Sequence, residues 1–290
     1  MDIDRFRVTG GEPFDLALHP TDFTGDYTSS DQGTKALKKN VKRLRALQNV
    51  LYAHNKYSLL IIFQAMDAAG KDGAIKHVMS GLNPQGTQVY SFKKPSDEEL
   101  DHDFLWRCSK ALPERGRIGI FNRSYYEDVL IVRVHPSILD SKQLPDELKE
   151  DPDIWQHRYR QIRDFERHLH ENGTRVVKFF LNVSREEQKR RFLARIETPE
   201  KNWKFSAADS AERAFWDEYM HAYTDAIGGT STERAPWYIL PADHKWFTRL
   251  AVSEIVATTL ESMDLEYPKV TEDHLESLRR AKEMLEGESE

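Results

Sequence analysis

The sequence contains a single cysteine, Cys108, among its 290 residues. One cysteine excludes an internal disulfide and a zinc site built from several thiolates, and it is typical of a reducing compartment. No apolar run approaches the roughly 20 residues that a membrane span needs. Residues 1–5 do not begin a signal peptide, because no basic segment followed by an apolar stretch is present. We therefore expect a cytoplasmic protein that does not insert into membranes.

The chain also lacks a positive net charge, which argues against a nucleic-acid partner recognised by overall charge. The formal net charge is −6, and residues 261–290 alone hold ten acidic and four basic residues. The rest of the chain is therefore neutral on balance, and a locally basic site for a polyanion remains compatible with the composition. We expect residues 265–290 to form an acidic tail.

No Pro/Gly/Ser-rich linker divides the sequence, and its hydrophobic content of 39% is that of a folded protein. These features predict one domain over residues 1–290, with an irregular amino-terminal segment at 1–33. A homo-oligomer is the default expectation for such a chain.

Apolar patterns predict strands that alternate with helices. The predicted strands are Ser58–Gln64, Thr87–Phe92, Arg117–Phe121, Arg175–Asn182 and Trp237–Leu240. The predicted helices are Thr34–His54, Asp72–Met79, one from Ser96 to about Leu112, Asp153–Asn172, one from Ser184, and His244–Met263. This alternation predicts an α/β fold with a parallel sheet between two layers of helices. Cys108 lies on the apolar face of the helix that starts at Ser96, so we interpret it as core.

The segment from Ala65 to Gly73 follows a strand and precedes a helix, as a phosphate-binding loop does. Its small residues Ala68, Ala69, Gly70 and Gly73 allow backbone N–H groups to approach phosphate oxygens, and Lys71 can reach them. Ala65 replaces the usual first glycine, and Asp72 replaces the usual Ser or Thr. The alternative is a plain strand–turn–helix. Asp67 favours a phosphate site with Mg²⁺, because an acid in an anion-binding loop needs a cation nearby.

A second polar segment, from Asn122 to Asp128, follows the third predicted strand. Functional residues of open α/β sheets gather beyond the carboxyl ends of strands. We expect Arg123 to stabilise a transferring phosphoryl group and one of the adjacent acids, Glu127 or Asp128, to face the metal. The alternative is an ordinary helix start, where acids are favoured.

The predicted helix from Ser184 is rich in basic residues. Arg191 and Arg195 share one helical face, and Lys204 follows, so residues 184–215 are a candidate lid over a polyanion. The alternative is a solvated charged helix. Lys76, one turn beyond the phosphate loop, and Arg133 are further candidate phosphate contacts.

The two loop segments, residues 66–73 and 121–128, resemble the Walker A and Walker B segments of the family-2 polyphosphate kinases. The resemblance continues at residues 104–107, 155–159, 203–205 and 235–238, and it covers roughly residues 20–268. Both departures from the ordinary phosphate loop are normal for that family.

This resemblance implies a thymidylate-kinase-like P-loop fold with a helical lid and a polyphosphate channel lined by basic residues. It implies that Asp67 and Asp128 hold Mg²⁺, for which Mn²⁺ can substitute. Diphosphate-only members resemble a pattern with Asn at the position of Glu127, so Glu127 indicates a subgroup that accepts AMP. The wider sequence is most similar to the subgroup that uses both AMP and ADP.

Together these features predict a reversible phosphotransferase that moves phosphoryl groups between inorganic polyphosphate and purine nucleotides. Transfer is direct and in line, with Asp67, Lys71, Arg123 and Asp128 as catalytic residues. The phosphate loop, Asn122 and Glu127 bind the nucleotide or phosphate. The alternatives are an ATP-dependent nucleotide kinase of the same fold and a binding protein without catalysis.

Overall fold

The computed structural model describes residues 1–11, 13–202 and 210–288. It contains a six-stranded sheet in the order β1-β6-β5-β2-β4-β3. The strands are β1 (Arg7–Val8), β2 (Ser58–Gln64), β3 (Thr87–Ser91), β4 (Ile118–Asn122), β5 (Thr174–Asn182) and β6 (Trp237–Pro241). Five strands are parallel, as predicted. The sheet is mixed because β1, within the segment expected to be irregular, pairs antiparallel with β6.

Two groups of helices flank the sheet. The longer helices are α1 (Ser30–His54), α2 (Lys71–Met79), α8 (Ile154–Glu171), α9 (Arg185–Ile196), α11 (Trp216–Thr230), α12 (Lys245–Glu261) and α13 (Glu272–Gly287). The short helices are α3 (Asp97–Leu100), α4 (Trp106–Ser109), α5 (Ile131–Val134), α6 (Pro136–Asp140), α7 (Asp146–Lys149) and α10 (Pro199–Asn202). Helix α12 packs against α1 and α2, and α8 packs against β5 and α11. No helix within the described ranges is long and apolar enough to cross a bilayer.

The central strand β2 is buried along its whole length, which explains its uninterrupted apolar sequence. It pairs with β4 on one side and β5 on the other, so that Phe63 is aligned with both Asn122 and Phe179. The next strand, β6, aligns Pro241 with Asn182 of β5. The segments that follow these four parallel strands therefore leave the sheet at the same edge.

The predicted long helix from Ser96 is wrong in its middle. The capping box of Ser96 and Glu99 is present, but it opens only the short helix α3. The Asp103 carboxylate then accepts a hydrogen bond from the backbone N–H of Leu105, and such local bonds compete with helix formation. Cys108 lies on α4 and is fully buried, which confirms its place in the core. Burial raises the pKa of its thiol to about 12, so the reactive thiolate is disfavoured.

Candidate active site

The turn between β2 and α2 has the shape that its small residues predict. Gly70 and Ala68 both adopt left-handed backbone conformations, with φ of 118° and 62°, and Gly70 caps α2. The Lys71 ammonium donates to the Ala65 carbonyl at 2.7 Å and lies 3.5 Å from that of Met66. Burial and the nearby Arg123 guanidinium lower the pKa of Lys71 to about 8. The turn thus carries a partly desolvated cation at the start of a helix, where an anion is favoured.

Arg123 links this loop to the segment after β4. Its guanidinium contacts the Asp67 carboxylate at 2.7 Å and the Glu127 carboxylate at 3.0 Å. The two acids raise the pKa of Arg123, so it stays charged. Asp67, Glu127 and Arg123 are also the charged neighbours of Lys71, together with Asp72. The structure therefore brings together Asp67, Lys71, Arg123 and Glu127, all of which the sequence analysis names as candidate site residues.

Asp128 contacts other residues in this structure, and its expected pairing with Asp67 at a metal stays a prediction. Its carboxylate is 6% exposed and lies against the ammonium of Lys142 and, at 3.3 Å, the guanidinium of Arg158. The reason is the 3-10 helix Tyr125–Val129, in which adjacent side chains point in different directions. Glu127 thus faces the phosphate loop, while Asp128 faces the other side of the turn.

The residues at the loop fit a divalent cation of the magnesium type. Mg²⁺ is usually bound by one or two carboxylates together with water and substrate phosphates. Asp67 and Glu127 supply two carboxylates that both contact the Arg123 guanidinium. The side chains of Asp67, Glu127 and Arg123 are 34%, 15% and 35% exposed. No cluster of three or more His, Cys, Asp or Glu side chains suited to a metal is present in the described part of the chain.

Side chains of helix α9 contact the backbone carbonyl groups of the phosphate loop. Arg191 is 4% exposed and donates to the carbonyls of Ala68 and Ala69 at 3.0 and 2.6 Å and to those of Ala242 and Asp243. Backbone acceptors occupy the guanidinium of Arg191 in this arrangement, and a phosphate contact of Arg191 stays a prediction. Arg195, one turn on, is only partly buried and lies over the Phe192 ring. Lys204 lies outside the described residues.

The remaining predicted residues occupy different positions. Asn122 donates to the Asp72 carboxylate at 2.8 Å and so joins β4 to the start of α2. Lys76 is exposed on α2. Arg133 donates to the Tyr159 hydroxyl at 2.7 Å and the Asp225 carboxylate at 2.5 Å, so in this structure it is part of an internal contact.

Two cations beside the loop were missed by the sequence analysis. Lys245 and Arg249 lie on α12, and a Cβ atom built on Gly70 or Gly73 would lie 3.9 Å from Lys245 Cγ or 3.4 Å from an Arg249 nitrogen. Burial and the neighbouring Arg191 lower the pKa of both, that of Lys245 to about 8. Their spacing of four residues, just after the last predicted strand, is the signal that would have found them.

A cavity of about 380 Å³ lies on the Asp128 side of the turn. Its charged lining residues are Arg107, Lys142, Arg158, Glu99, Asp103, Asp128 and Asp151. Its apolar lining residues include Leu100, Phe104, Leu105, Leu144, Leu148 and Ile154. Cavities of this size with apolar walls and a few charged groups are typical of small-molecule sites.

Comparisons with known proteins agree with this geometry. The family model described as polyphosphate kinase 2 matches residues 27–268. The chain is 55% identical over 281 residues to an ADP-polyphosphate phosphotransferase of Rhodopseudomonas palustris, with 97% of each chain covered. It is 43% identical to an AMP/ADP-polyphosphate phosphotransferase of Meiothermus ruber, covering 91% of this chain and 95% of the relative.

The fold is also that of a solved structure from this group. The crystal structure of polyphosphate kinase 2 from Arthrobacter aurescens superposes with a TM-score of 0.87 at 42% identity, covering 97% of this chain and 96% of that one. Sequence and structure thus agree over nearly the full length, and the chain belongs to the polyphosphate kinase 2 family of phosphotransferases.

Proposed function

We propose that this protein transfers phosphoryl groups reversibly between inorganic polyphosphate and the nucleotides AMP and ADP. The observation that carries the proposal is the convergence of Lys71, Arg123, Asp67 and Glu127 at one edge of the sheet, in a member of this family. Phosphoryl transfer depends on positioning and on neutralising charge, and these residues supply both. Relatives named for ADP and for AMP/ADP support the choice of acceptors.

Asp67 and Glu127 are the carboxylates that we assign to a bound Mg²⁺ or Mn²⁺, with Glu127 in place of the expected Asp128. The metal would neutralise charge on the phosphate oxygens. In its absence, Arg123 holds both carboxylates in place. Lys71 and Arg123 then contact the transferring group directly.

The donor chain would run over the cations beside the phosphate loop. Lys245 and Arg249 extend the positive surface from Lys71 along α12. A polyanion with about one charge per unit requires such a series of cations, whereas one nucleotide requires fewer. The lid assigned to residues 184–215 would cover this surface from α9 and exclude water.

The acceptor nucleoside would occupy the cavity on the other side of the turn. Asp128 lines the cavity and the adjacent Glu127 contacts Arg123, so the 3-10 helix lies between the cavity and the phosphate loop. A mononucleotide bound there would have its base against the apolar lining residues, and its phosphate would extend past the 3-10 helix towards Arg123. Transfer is direct and in line, without a phosphorylated enzyme intermediate. The described residues at the site include no nucleophile–base pair that would form such an intermediate.

An activity assay with matched donors tests this function. The protein is incubated with Mg²⁺ and AMP or ADP, with either long-chain polyphosphate or ATP as donor, and the products are separated. We expect ADP and ATP to form from polyphosphate, and Lys71→Ala to lower the rate at least ~10²-fold. Phosphorylation of AMP by ATP alone would instead favour the ATP-dependent kinase. That alternative would also need an explanation for Asp72, which replaces the usual Ser or Thr after the loop lysine. Binding without turnover would identify a non-catalytic protein.

Three further properties remain predictions from the sequence. These are a cytoplasmic location, a homo-oligomeric assembly and the absence of nucleic-acid or membrane partners. They are tested by fractionating cells and by measuring the mass of the purified protein in solution.

A further inference from the structure

Two charged side chains are buried together beneath the turn that carries Glu127 and Asp128. Lys178 of β5 is fully buried and Glu166 of α8 is 1% exposed, and their charged atoms are 2.6 Å apart. Burial lowers the pKa of Lys178, and Glu166 opposes that shift. Because two charges must be desolvated, an apolar pair of similar volume is often equally stable. Stability of the core therefore does not by itself account for this pair.

The ion pair is joined to the turn through two tyrosines. The hydroxyls of Tyr125 and Tyr126 each donate to Glu166 Oε1 at 2.9 Å. Lys178 donates to the Tyr126 hydroxyl at 3.0 Å and to the Thr230 carbonyl at 2.9 Å. Burial and Glu166 raise the pKa of both phenols, so they remain protonated donors. Every donor of Lys178 and both oxygens of Glu166 are thus used.

These tyrosines immediately precede the two acids, whose directions differ. Glu127 contacts Arg123, whereas Asp128 contacts Lys142 and Arg158. In a 3-10 helix one residue corresponds to about 120° of rotation, so a slip by one residue would turn Glu127 away from Arg123. Helix α8 also holds the turn at a second point, because Arg158 donates to the Asp128 carbonyl at 2.6 Å.

We propose that Glu166 and Lys178 are positioning residues that fix the rotation of the 3-10 helix Tyr125–Val129. The pair holds Tyr125 and Tyr126, and thereby directs Glu127 to Arg123 and Asp67 and leaves Asp128 in the cavity wall. Its consequence for catalysis rests on the proposed function. The structural claim does not, and it can be measured without an activity assay.

Two variants test the anchor, which we define as the Glu166–Lys178 pair together with the hydroxyls of Tyr125 and Tyr126. Tyr125→Phe/Tyr126→Phe removes both phenol hydroxyls and leaves the ion pair intact. Glu166→Leu/Lys178→Met replaces the pair with apolar side chains, which keeps the core filled and removes the acceptor of the tyrosines. The matched control is Ser253→Ala, which deletes a buried hydrogen bond between Asn40 of α1 and α12. Amide hydrogen exchange is measured by mass spectrometry, and kcat and KM are measured with polyphosphate and AMP.

We expect both anchor variants to exchange at least tenfold faster in peptides covering residues 124–130, with unchanged protection in β2. We expect kcat to fall at least tenfold and the KM for polyphosphate to change less than twofold, because the donor cations lie on other elements. The control should change neither exchange at 124–130 nor kcat.

Unchanged exchange at 124–130 in the tyrosine variant would overturn the anchor. Faster exchange with an unchanged kcat would overturn its positioning role. A wild-type protein without polyphosphate-dependent activity would overturn the proposed function instead, and the exchange data would still decide whether the anchor holds the turn. If the apolar pair variant fails to fold, the tyrosine variant decides the outcome, because it retains every charge.

Discussion

Arg123 joins the two parts of the site, which are the phosphate loop after β2 and the segment after β4. Its φ of 66° is left-handed, a conformation that costs a non-glycine residue of order 1 kcal/mol and that clusters at functional sites. Its backbone N–H donates to the Phe63 carbonyl at 3.0 Å, which ties the segment after β4 to the end of β2. The planar guanidinium then reaches one acid on each loop. A lysine could not hold both carboxylates in this way, because it presents a point charge on a flexible stem.

The pH dependence of kcat/KM for polyphosphate should report Lys71 and Lys245. The pKa of each is lowered to about 8, so both are charged below that pH and lose their charge as the pH rises through it. We expect log kcat/KM to fall above pH 8 with a slope approaching −2, since this parameter reports the free enzyme. In Lys245→Arg one charge becomes permanent, and the slope should approach −1. A slope that is the same in both proteins would show that Lys245 does not contribute to donor binding.

The two adjacent acids should differ in their effect on the acceptor. Glu127→Asn removes a carboxylate from Arg123, which reduces the repulsion of the additional phosphate of ADP. We expect the ratio of ADP to AMP activity, as kcat/KM, to rise about tenfold, which corresponds to ~1.4 kcal/mol. Asp128→Asn is the matched control, because its carboxylate contacts Lys142 and Arg158 instead. An equal change in both variants would contradict the separate orientations of these residues.

At the scale of elements, α9 has a buried face that supports the phosphate loop. Ser184 caps the helix, and the Glu187 carboxylate contacts Arg190 and Arg191. Gln188 donates to the Asp67 carbonyl at 2.9 Å, one turn from Arg191. The helix therefore braces three consecutive loop residues, 67–69, through their carbonyl groups. Any movement of α9 as part of a lid would be transmitted to the loop.

Substitutions of Arg191 and Arg195 on α9 should consequently have different effects. Arg191→Met leaves buried carbonyls without a donor and removes one of the two arginines that contact Glu187, and we expect it to lower the free energy of unfolding by about 3 kcal/mol. Arg195→Met should change that free energy by less than about 0.5 kcal/mol, because Arg195 is partly exposed. It should instead raise the KM for polyphosphate if it contacts the donor. Urea denaturation and steady-state kinetics on both variants measure the two effects, and equal loss of stability would contradict the bracing role.

At the scale of the whole molecule, the acidic tail is separate from the folded body. Helix α13 has no buried residue, and its leucines and methionine are exposed. The family model ends at residue 268, before this helix begins. Residues 265–290 carry a net charge of −4 and residues 1–264 one of −2, so most of the negative net charge lies outside the body that carries the site. The basic surface beside the loop is not offset by packing against the tail.

Truncation after Val270 tests this separation. Removal of α13 exposes no core and removes no contact with the site, so we expect the melting temperature of the monomeric unit and kcat to be unchanged. Size-exclusion chromatography with light scattering on the same protein measures whether assembly depends on the tail. A lower melting temperature at constant assembly would show that α13 packs against the body.

The sequence alone determined the fold class and most elements of this protein. Strand β2 and the parallel strands after it were predictable because fully buried strands need continuous apolar runs, and turn residues mark their ends. The phosphate loop was predictable because its chemistry depends on residues that are adjacent in the chain. Asp67 and Lys71 were proposed for that reason, and Arg123 was proposed because it follows the end of a predicted strand.

Only the tertiary structure decided which neighbours these residues have. Glu127 and Asp128 are equivalent in sequence, and the rotation of one 3-10 helix, fixed by residues from α8 and β5, assigns them to different sides. Arg191 reads as a phosphate ligand until its buried carbonyl partners are known, and Lys245 and Arg249 join the loop through packing of α12 on α2. Such contacts link residues from 30 to more than 120 positions apart. Local patterns carry no information about them, because the spatial register of distant segments arises only when the sheet and helices pack.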